Sequence, residues 1–191
     1  MKKSTSREKF LETTARLLRE RGYAATGMNE IVAESGAPKG SLYFHFPGGK
    51  EEVASLALRA AADHTCAAIR SALSNSPAFV DGVQNVFLMV LAELEKSNYR
   101  SGCPVGTVAS ESPDAPRVID AVEQAFQQWQ SVIQECVMRA GLKAKRADEI
   151  AEFILVQFEG ALVLAKARRN SKPLLSALRE IKRHLEQEGI Q

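Results

Sequence analysis

The chain has 191 residues, 45% of them hydrophobic, enough for one sizeable core or for a small domain joined to a larger one. No apolar run approaches the roughly 20 residues a membrane span needs, and the opening MKKSTSREKF lacks the apolar stretch of a secretory signal, so a cytoplasmic location is expected. Net charge is +2, but residues 1–50 hold nine Lys/Arg against five Glu, a balance of +4 that leaves −2 for the rest. A basic excess at one end suits phosphate binding, although a solvated charged face gives the same count.

Almost every segment carries a helical period and none alternates like a strand, so the expected fold is all-α. Thr5-Ser6-Arg7-Glu8 has the pattern of a capping box. The helix it opens carries Leu11, Thr14, Leu17 and Leu18 on one side and should end near Gly22. Lys2, Lys3 and Arg7 could form a basic arm or an ordinary mobile terminus.

Residues 26–50 then read as two short helices around a tight turn. Met28, Ile31, Val32 and Ser35 fall on one face of the first helix, with Thr26 placed to cap it and near enough to reach a phosphate. Gly36 supplies the turn, and Pro38 suits the start of the second helix. There Leu42 and Phe46 share a face, while Lys39, Ser41, Tyr43 and His45 largely occupy the others. A short helix showing basic and hydroxyl groups outward, braced by another across a glycine turn, predicts a helix-turn-helix with DNA as partner.

After Phe46-Pro47-Gly48-Gly49 a long helix runs to about Ser74, with Glu51 and Glu52 in its first turn and Val53, Ala57, Ala60, His64 and Ala67 on one stripe. Ser76-Pro77 should cap the next helix, whose stripe is Val80, Val83, Phe87, Val90, Leu91 and Leu94. Residues 98–111 break the pattern and lead into a short helix around Val105–Glu111. Pro113 and Pro116 announce another long helix with Ile119, Val122, Phe126, Trp129, Ile133, Cys136 and Val137 aligned, and Gly141 stops it. Residues from about 145 to 170 include FILVQFEGALVLA, apolar nearly all round, which requires burial on opposite sides. Ser171 should cap the last helix. Its Leu174, Leu178, Ile181 and Leu185 form a heptad-like seam, expected to pack on a neighbouring helix and on a second subunit in a C2 four-helix bundle.

REKFLETTARLLRERGYAATGMNEIVAESGAPKGSLYFHF, with Gly22-Tyr23, Thr26, Ile31, Gly36, Lys39-Gly40-Ser41-Leu42-Tyr43, His45-Phe46 and Lys50-Glu51 in order, resembles the N-terminal domain of the TetR family of transcriptional regulators. Phe46-Pro47-Gly48-Gly49-Lys50-Glu51 and Gly102-Cys103-Pro104-Val105-Gly106 look like the LmrA/YxaF-type branch. The sequence departs from the common family pattern at Pro38, where Ser is frequent, and at Phe44, where His is frequent. The resemblance implies a three-helix DNA-binding domain, taken as residues 1–49, and a helical effector-binding and dimerisation domain, residues 50–191. It implies repression by operator occupancy, relieved by a small molecule. The branch suggests planar aromatic effectors and control of efflux or detoxification genes.

On this reading Thr26, Lys39, Gly40, Ser41, Tyr43, His45 and Lys50 are the DNA-binding candidates. Lys39 suits guanine edges or phosphate, Gly40 a close approach, Ser41 either base type and Tyr43 a phosphate. His45 and Lys50 suit phosphate anchoring, with packing the competing role for His45. Phe87, Cys103, Val105, Trp129, Ile133 and Gln157 are the ligand-binding candidates; the alternatives are an ordinary core role for Phe87 and Trp129, a structural turn for Cys103 and Val105, and water or an inter-subunit contact for Gln157. Leu174, Leu178, Ile181 and Leu185 are assigned to the dimer interface.

The expected partners are double-stranded operator DNA, a small-molecule effector and a second copy of the chain. No cofactor or metal is expected: no P-loop, G-x-G-x-x-G or G-x-S-x-G motif is present, and the widely spaced Cys66, Cys103 and Cys136 suit reduced thiols. An enzyme is therefore not expected. A helical module that binds DNA only as a tether and recognises another protein is the alternative reading.

Overall fold

The computed structural model describes residues 5–111 and 113–190; Lys2 and Lys3 of the expected basic arm lie outside them. Nine helices and no strand occur among the described residues: α1 Ser6–Arg21, α2 Met28–Ser35, α3 Lys39–His45, α4 Gly49–Asn75, α5 Phe79–Lys96, α6 Pro104–Ala109, α7 Pro116–Arg139, α8 Ala144–Arg168 and α9 Lys172–Gln187. Among these residues no helix is long and apolar enough to cross a membrane. The chain forms two compact units. One comprises the chain up to Asp63 with Cys103–Phe126, and the other comprises His64–Gly102 with Gln127–Gln191. Packing therefore divides the chain elsewhere than at the expected 49/50 boundary: α4 and α7 each contribute to both units, and α6 belongs with the N-terminal helices.

In the first unit the capping box at Thr5 and Glu8 forms as expected. Phe10, Leu17, Ile31, Ala37, Leu42, Phe46 and Val53 make its core, with Phe10 and Phe46 meeting edge to face at 6.2 Å. Thr26 does not cap α2. The N-cap is Gly27, and the Thr26 hydroxyl turns back to donate to the Gly22 carbonyl at 2.6 Å, leaving the residue 2% exposed. Ile119, expected on the buried stripe of α7, is exposed, because Val118, Ala121 and Ala125 face inward instead. The α4 stripe also differs: Ala60, His64 and Ala67 are exposed, while Val53, Ala57, Ala62, Cys66, Ile69 and Leu73 are buried.

In the second unit α9 packs on α8 and α5. Ser76 does not cap α5; the N-cap is Ala78, and the Ser76 hydroxyl donates to Ala72. At α9 the N-cap position is Ser171, but the Asn170 side chain accepts the Lys172 N–H. Leu174, Leu178, Ile181 and Leu185 are all buried within the single chain. This corrects their assignment to an intersubunit surface: the seam is occupied by α9's own neighbours.

Candidate nucleic-acid interface

Three features of the sequence fix the helix-turn-helix. Gly36 ends α2 in the left-handed region (φ 63°, ψ 14°), which glycine adopts without steric penalty, and so reverses the chain within three residues. Pro38 is the N-cap of α3 and contributes no side-chain cap; the Ser41 hydroxyl instead donates to the Pro38 carbonyl at 2.7 Å. Leu42 and Phe46, fully buried, tie α3 to the core. Seven residues are too few to hold a helix by themselves. Burying two large apolar side chains contributes about 1.5–3 kcal/mol each and holds this one.

Ion pairs position α2 against α1. Arg16 donates to Glu34 and lies 3.6 Å from Glu20; Arg21 donates to Glu30 and lies 3.8 Å from Glu34. The hydrogen bond to Glu34 pushes the Arg16 guanidinium up and holds the Glu34 carboxyl below the usual carboxylate range. These pairs are solvated, so each contributes little alone. As a connected group, with Glu34 shared by two arginines, they link α2 to α1.

A further anchor comes from the far end of α6. The Glu111 carboxylate accepts the Tyr23 N–H at 2.8 Å and the Ala24 N–H at 2.9 Å, and so caps the turn between α1 and α2. Gly22 leaves room for it: a Cβ there would collide with the Glu111 carboxylate. Lys50 joins the same turn. Its ammonium sits 4.3 Å over the Tyr23 ring and donates to the Ala24 carbonyl at 3.3 Å. Partial burial pushes this lysine down, against the opposing pull of Glu111.

The outward side of α3 carries Lys39, Gly40, Tyr43 and Phe44, all exposed. A Cβ at Gly40 would meet nothing within 4 Å, so this stretch of helix is bare backbone. Tyr43 is 54% exposed. Ser41 and His45 flank this face and are half-buried, the His45 ring lying between those of Phe44 and Phe46 at 5.3 and 6.2 Å. Of the DNA-binding candidates, then, Lys39, Gly40 and Tyr43 share the exposed side of α3, Ser41 and His45 border it, and Lys50 is engaged at the α1–α2 turn. Thr26 is buried, with its hydroxyl proton committed to Gly22.

The ligand-binding candidates divide between the units. Phe87, Trp129, Ile133 and Gln157 belong to the second, Cys103 and Val105 to the first. Phe87, Trp129 and Ile133 are buried, and Phe87 meets Phe158 edge to face at 5.0 Å. Gln157 is half-buried. Cys103 is the N-cap of α6, its sulfur accepting the Gly106 N–H at 3.3 Å, and Val105 is fully buried. Both thus have a structural role in setting α6.

A short helix held by two apolar anchors, its other side open and basic or aromatic, on a brace of two further helices, defines a helix-turn-helix DNA-binding protein. The sequence matches the family model described as bacterial regulatory proteins of the tetR family over residues 10–56, and the LmrA/YxaF-like C-terminal domain of transcriptional regulators over residues 80–180. It is 35% identical to the HTH-type transcriptional regulator LmrA of Bacillus subtilis, over 89% of this chain and 91% of that one. The crystal structure of a regulatory protein TetR from Rhodobacter sphaeroides superposes with a TM-score of 0.86, at 25% identity over 95% of this chain and 99% of that one. The regulator CifR, solved as a cysteine mutant with 26-bp operator DNA, has the same fold (TM-score 0.78, 22% identity, 96% of this chain and 98% of that one). The chain belongs to the TetR family, with a C-terminal domain of the LmrA/YxaF-like type, and is a transcriptional regulator that binds operator DNA rather than an enzyme.

Proposed function

We propose that the chain acts as a homodimeric repressor in the cytoplasm, occupying a palindromic operator and leaving it when a small, largely apolar aromatic effector binds. The observation that carries the dimer is the outer face of α8. Val156, Gly160, Val163, Leu164 and Ala167 fall within about 100° of helix surface and are exposed, Val156 by 62% and Val163 by 56%. The opposite face, Ile150, Ala151, Ile154, Ala161, Leu162 and Ala165, is buried in the chain's own core. Leu175 of α9 is 41% exposed and extends the apolar character. A helix apolar on both sides, with one side covered, supports a second copy on the other. A self-complementary contact of this kind places two heads on a two-fold axis, matched by half-sites about one helical turn or a multiple apart.

Lys39, Gly40 and Tyr43 would enter the groove, with Ser41, His45 and Lys50 at its phosphate edges. The buried Phe87, which meets the half-buried Phe158 edge to face, and the buried Trp129 support an apolar effector site in residues 50–191, in keeping with efflux or detoxification genes as targets. Because α4 and α7 serve both units, a change in the second unit has a route along two helices to the first. An effector that favours the non-binding form weakens operator affinity by its differential affinity, and DNA must weaken effector binding by the same factor.

Light scattering after size exclusion should give twice the 20.9 kDa chain mass. Val163→Glu, which places charge in the α8 stripe, should give a folded monomer with much weaker operator binding. A wild-type monomer, or an unaltered dimer in the variant, would rule out this surface. Planar aromatic compounds titrated against the protein–operator complex test the switch. A compound that binds yet leaves operator affinity unchanged would count against it.

A further inference from the structure

Phe44 is 81% exposed, more than any other large hydrophobic side chain among the described residues. Single exposed apolar groups on a protein surface need no explanation. This one is distinguished by its place. At 100° per residue, Phe44 lies about 180° round α3 from the mean direction of Leu42 and Phe46, the two anchors, and so points straight out from the core. Gly40, one turn earlier, has no side chain to shield it, and Tyr43, itself exposed, precedes it in the chain. Among the described residues, the Phe44 ring meets that of the neighbouring His45, centroid to centroid at 5.3 Å. Where the family commonly carries an imidazole, this chain presents a ring with no donor or acceptor.

We propose that Phe44 is a specificity-determining residue that reads the C5-methyl group of a thymine in the major groove of each half-site. The major-groove edges offer donors and acceptors on every base pair, but one apolar group only, the thymine methyl. A phenyl ring at the outermost point of the recognition helix gains nothing from the polar edges and loses water against them. Against the methyl it buries apolar surface on both partners. The proposal rests on operator binding through α3 and adds to it the identity of a base.

The test uses the full-length protein and a duplex selected by it from a random library. Each thymine is replaced singly by deoxyuridine, which removes the methyl and leaves the hydrogen-bonding edge intact. Burial of one methyl-sized group corresponds to about fourfold in affinity, so wild type should lose about fourfold at one thymine per half-site and about fifteenfold when both are replaced. Phe44→Ala should bind the thymine duplex more weakly and be indifferent to the same replacement. Phe44→Leu, which keeps an apolar group, should retain part of the sensitivity. Thermal unfolding of both variants should match wild type, since the side chain makes no core contact. Operator binding that is indifferent to every deoxyuridine, or a Phe44→Ala variant as sensitive as wild type, overturns the proposal while leaving operator recognition standing. Failure to select any duplex overturns both.

Discussion

Replacing Glu111 with alanine should loosen the turn that joins α1 to α2, although the two segments are some 90 residues apart in the chain. The carboxylate accepts two backbone N–H groups, from Tyr23 and Ala24. A buried charged acceptor is worth about 1.5–3 kcal/mol per bond, but Glu111 is exposed and the freed amides can turn to water. About 0.5–1.5 kcal/mol per bond is therefore appropriate, or about 1–3 kcal/mol for the pair. For a chain of this size, 1 kcal/mol moves the melting temperature by about 2–4 °C, so Glu111→Ala should melt roughly 2–12 °C lower.

Gly22→Ala supplies the control. Gly22 has φ 80° and ψ −176°, a region that costs other residues about 1–3 kcal/mol. Its added Cβ also expels the Glu111 carboxylate. In wild type this substitution loses both the backbone strain and the carboxylate's bonds; in Glu111→Ala it loses the strain alone. Urea unfolding of the four proteins should therefore show the double variant short of additivity by about the 1–3 kcal/mol assigned to Glu111. Amide exchange at Tyr23 and Ala24 should speed up in each single variant. Losses that add to within about 0.5 kcal/mol, with exchange at those two amides unchanged, would refute the role given to Glu111.

Acid should weaken the brace between α1 and α2. Glu34 has its folded pKa depressed by the hydrogen bond from Arg16, so its contribution is complete above the ordinary value of 4.5 and is lost as pH falls through the lower folded value. The wild-type unfolding midpoint should fall below pH 4.5 more steeply than that of Glu34→Gln, and parallel curves would remove Glu34 from the account. Thr14 is fully buried on α1, and its hydroxyl has no hydrogen-bond partner among the described residues. Thr14→Val keeps the branched shape and removes the unsatisfied oxygen, so stability should hold or rise by about 1 kcal/mol; a loss of that size in urea unfolding would show that the hydroxyl is satisfied in solution.

Periodicity and end signals made most of the helices legible, because each depends on residues a few positions apart. Thr5 and Glu8 announce α1, Gly36 ends α2, and Leu42 with Phe46 marks the buried face of α3. What periodicity does not carry is the choice between two apolar faces. Leu174, Leu178, Ile181 and Leu185 form a seam that fits a partner subunit or a neighbouring helix equally well, and only the packing of α9 on α8 and α5 assigns it to the chain's own core. Thr26 shows a related limit: its position suits a cap, but Gly27 takes that place once the hydroxyl closes on Gly22. The contact of Glu111 with residues 23 and 24 had no local signal. Phe44 was visible as a departure from the family pattern, and its outward direction gives that departure a chemical meaning.

These placements divide the labour within the head. α1 and α2 are fixed by ion pairs and the shared core, and their connecting turn is fixed by Glu111 and Lys50. α3 has two side chains in the core and no side-chain cap at Pro38, so its position follows that of the brace. Its outward residues are thereby free of structural duty, and Lys39, Tyr43 and Phe44 can vary with the operator at little cost in stability. The brace is different. Glu111 follows α6 in the chain, and α6 packs on α1, so a shift of that short helix acts on the turn that leads into α2. The position of α3 therefore depends on the residues of the brace as well as on its own two anchors.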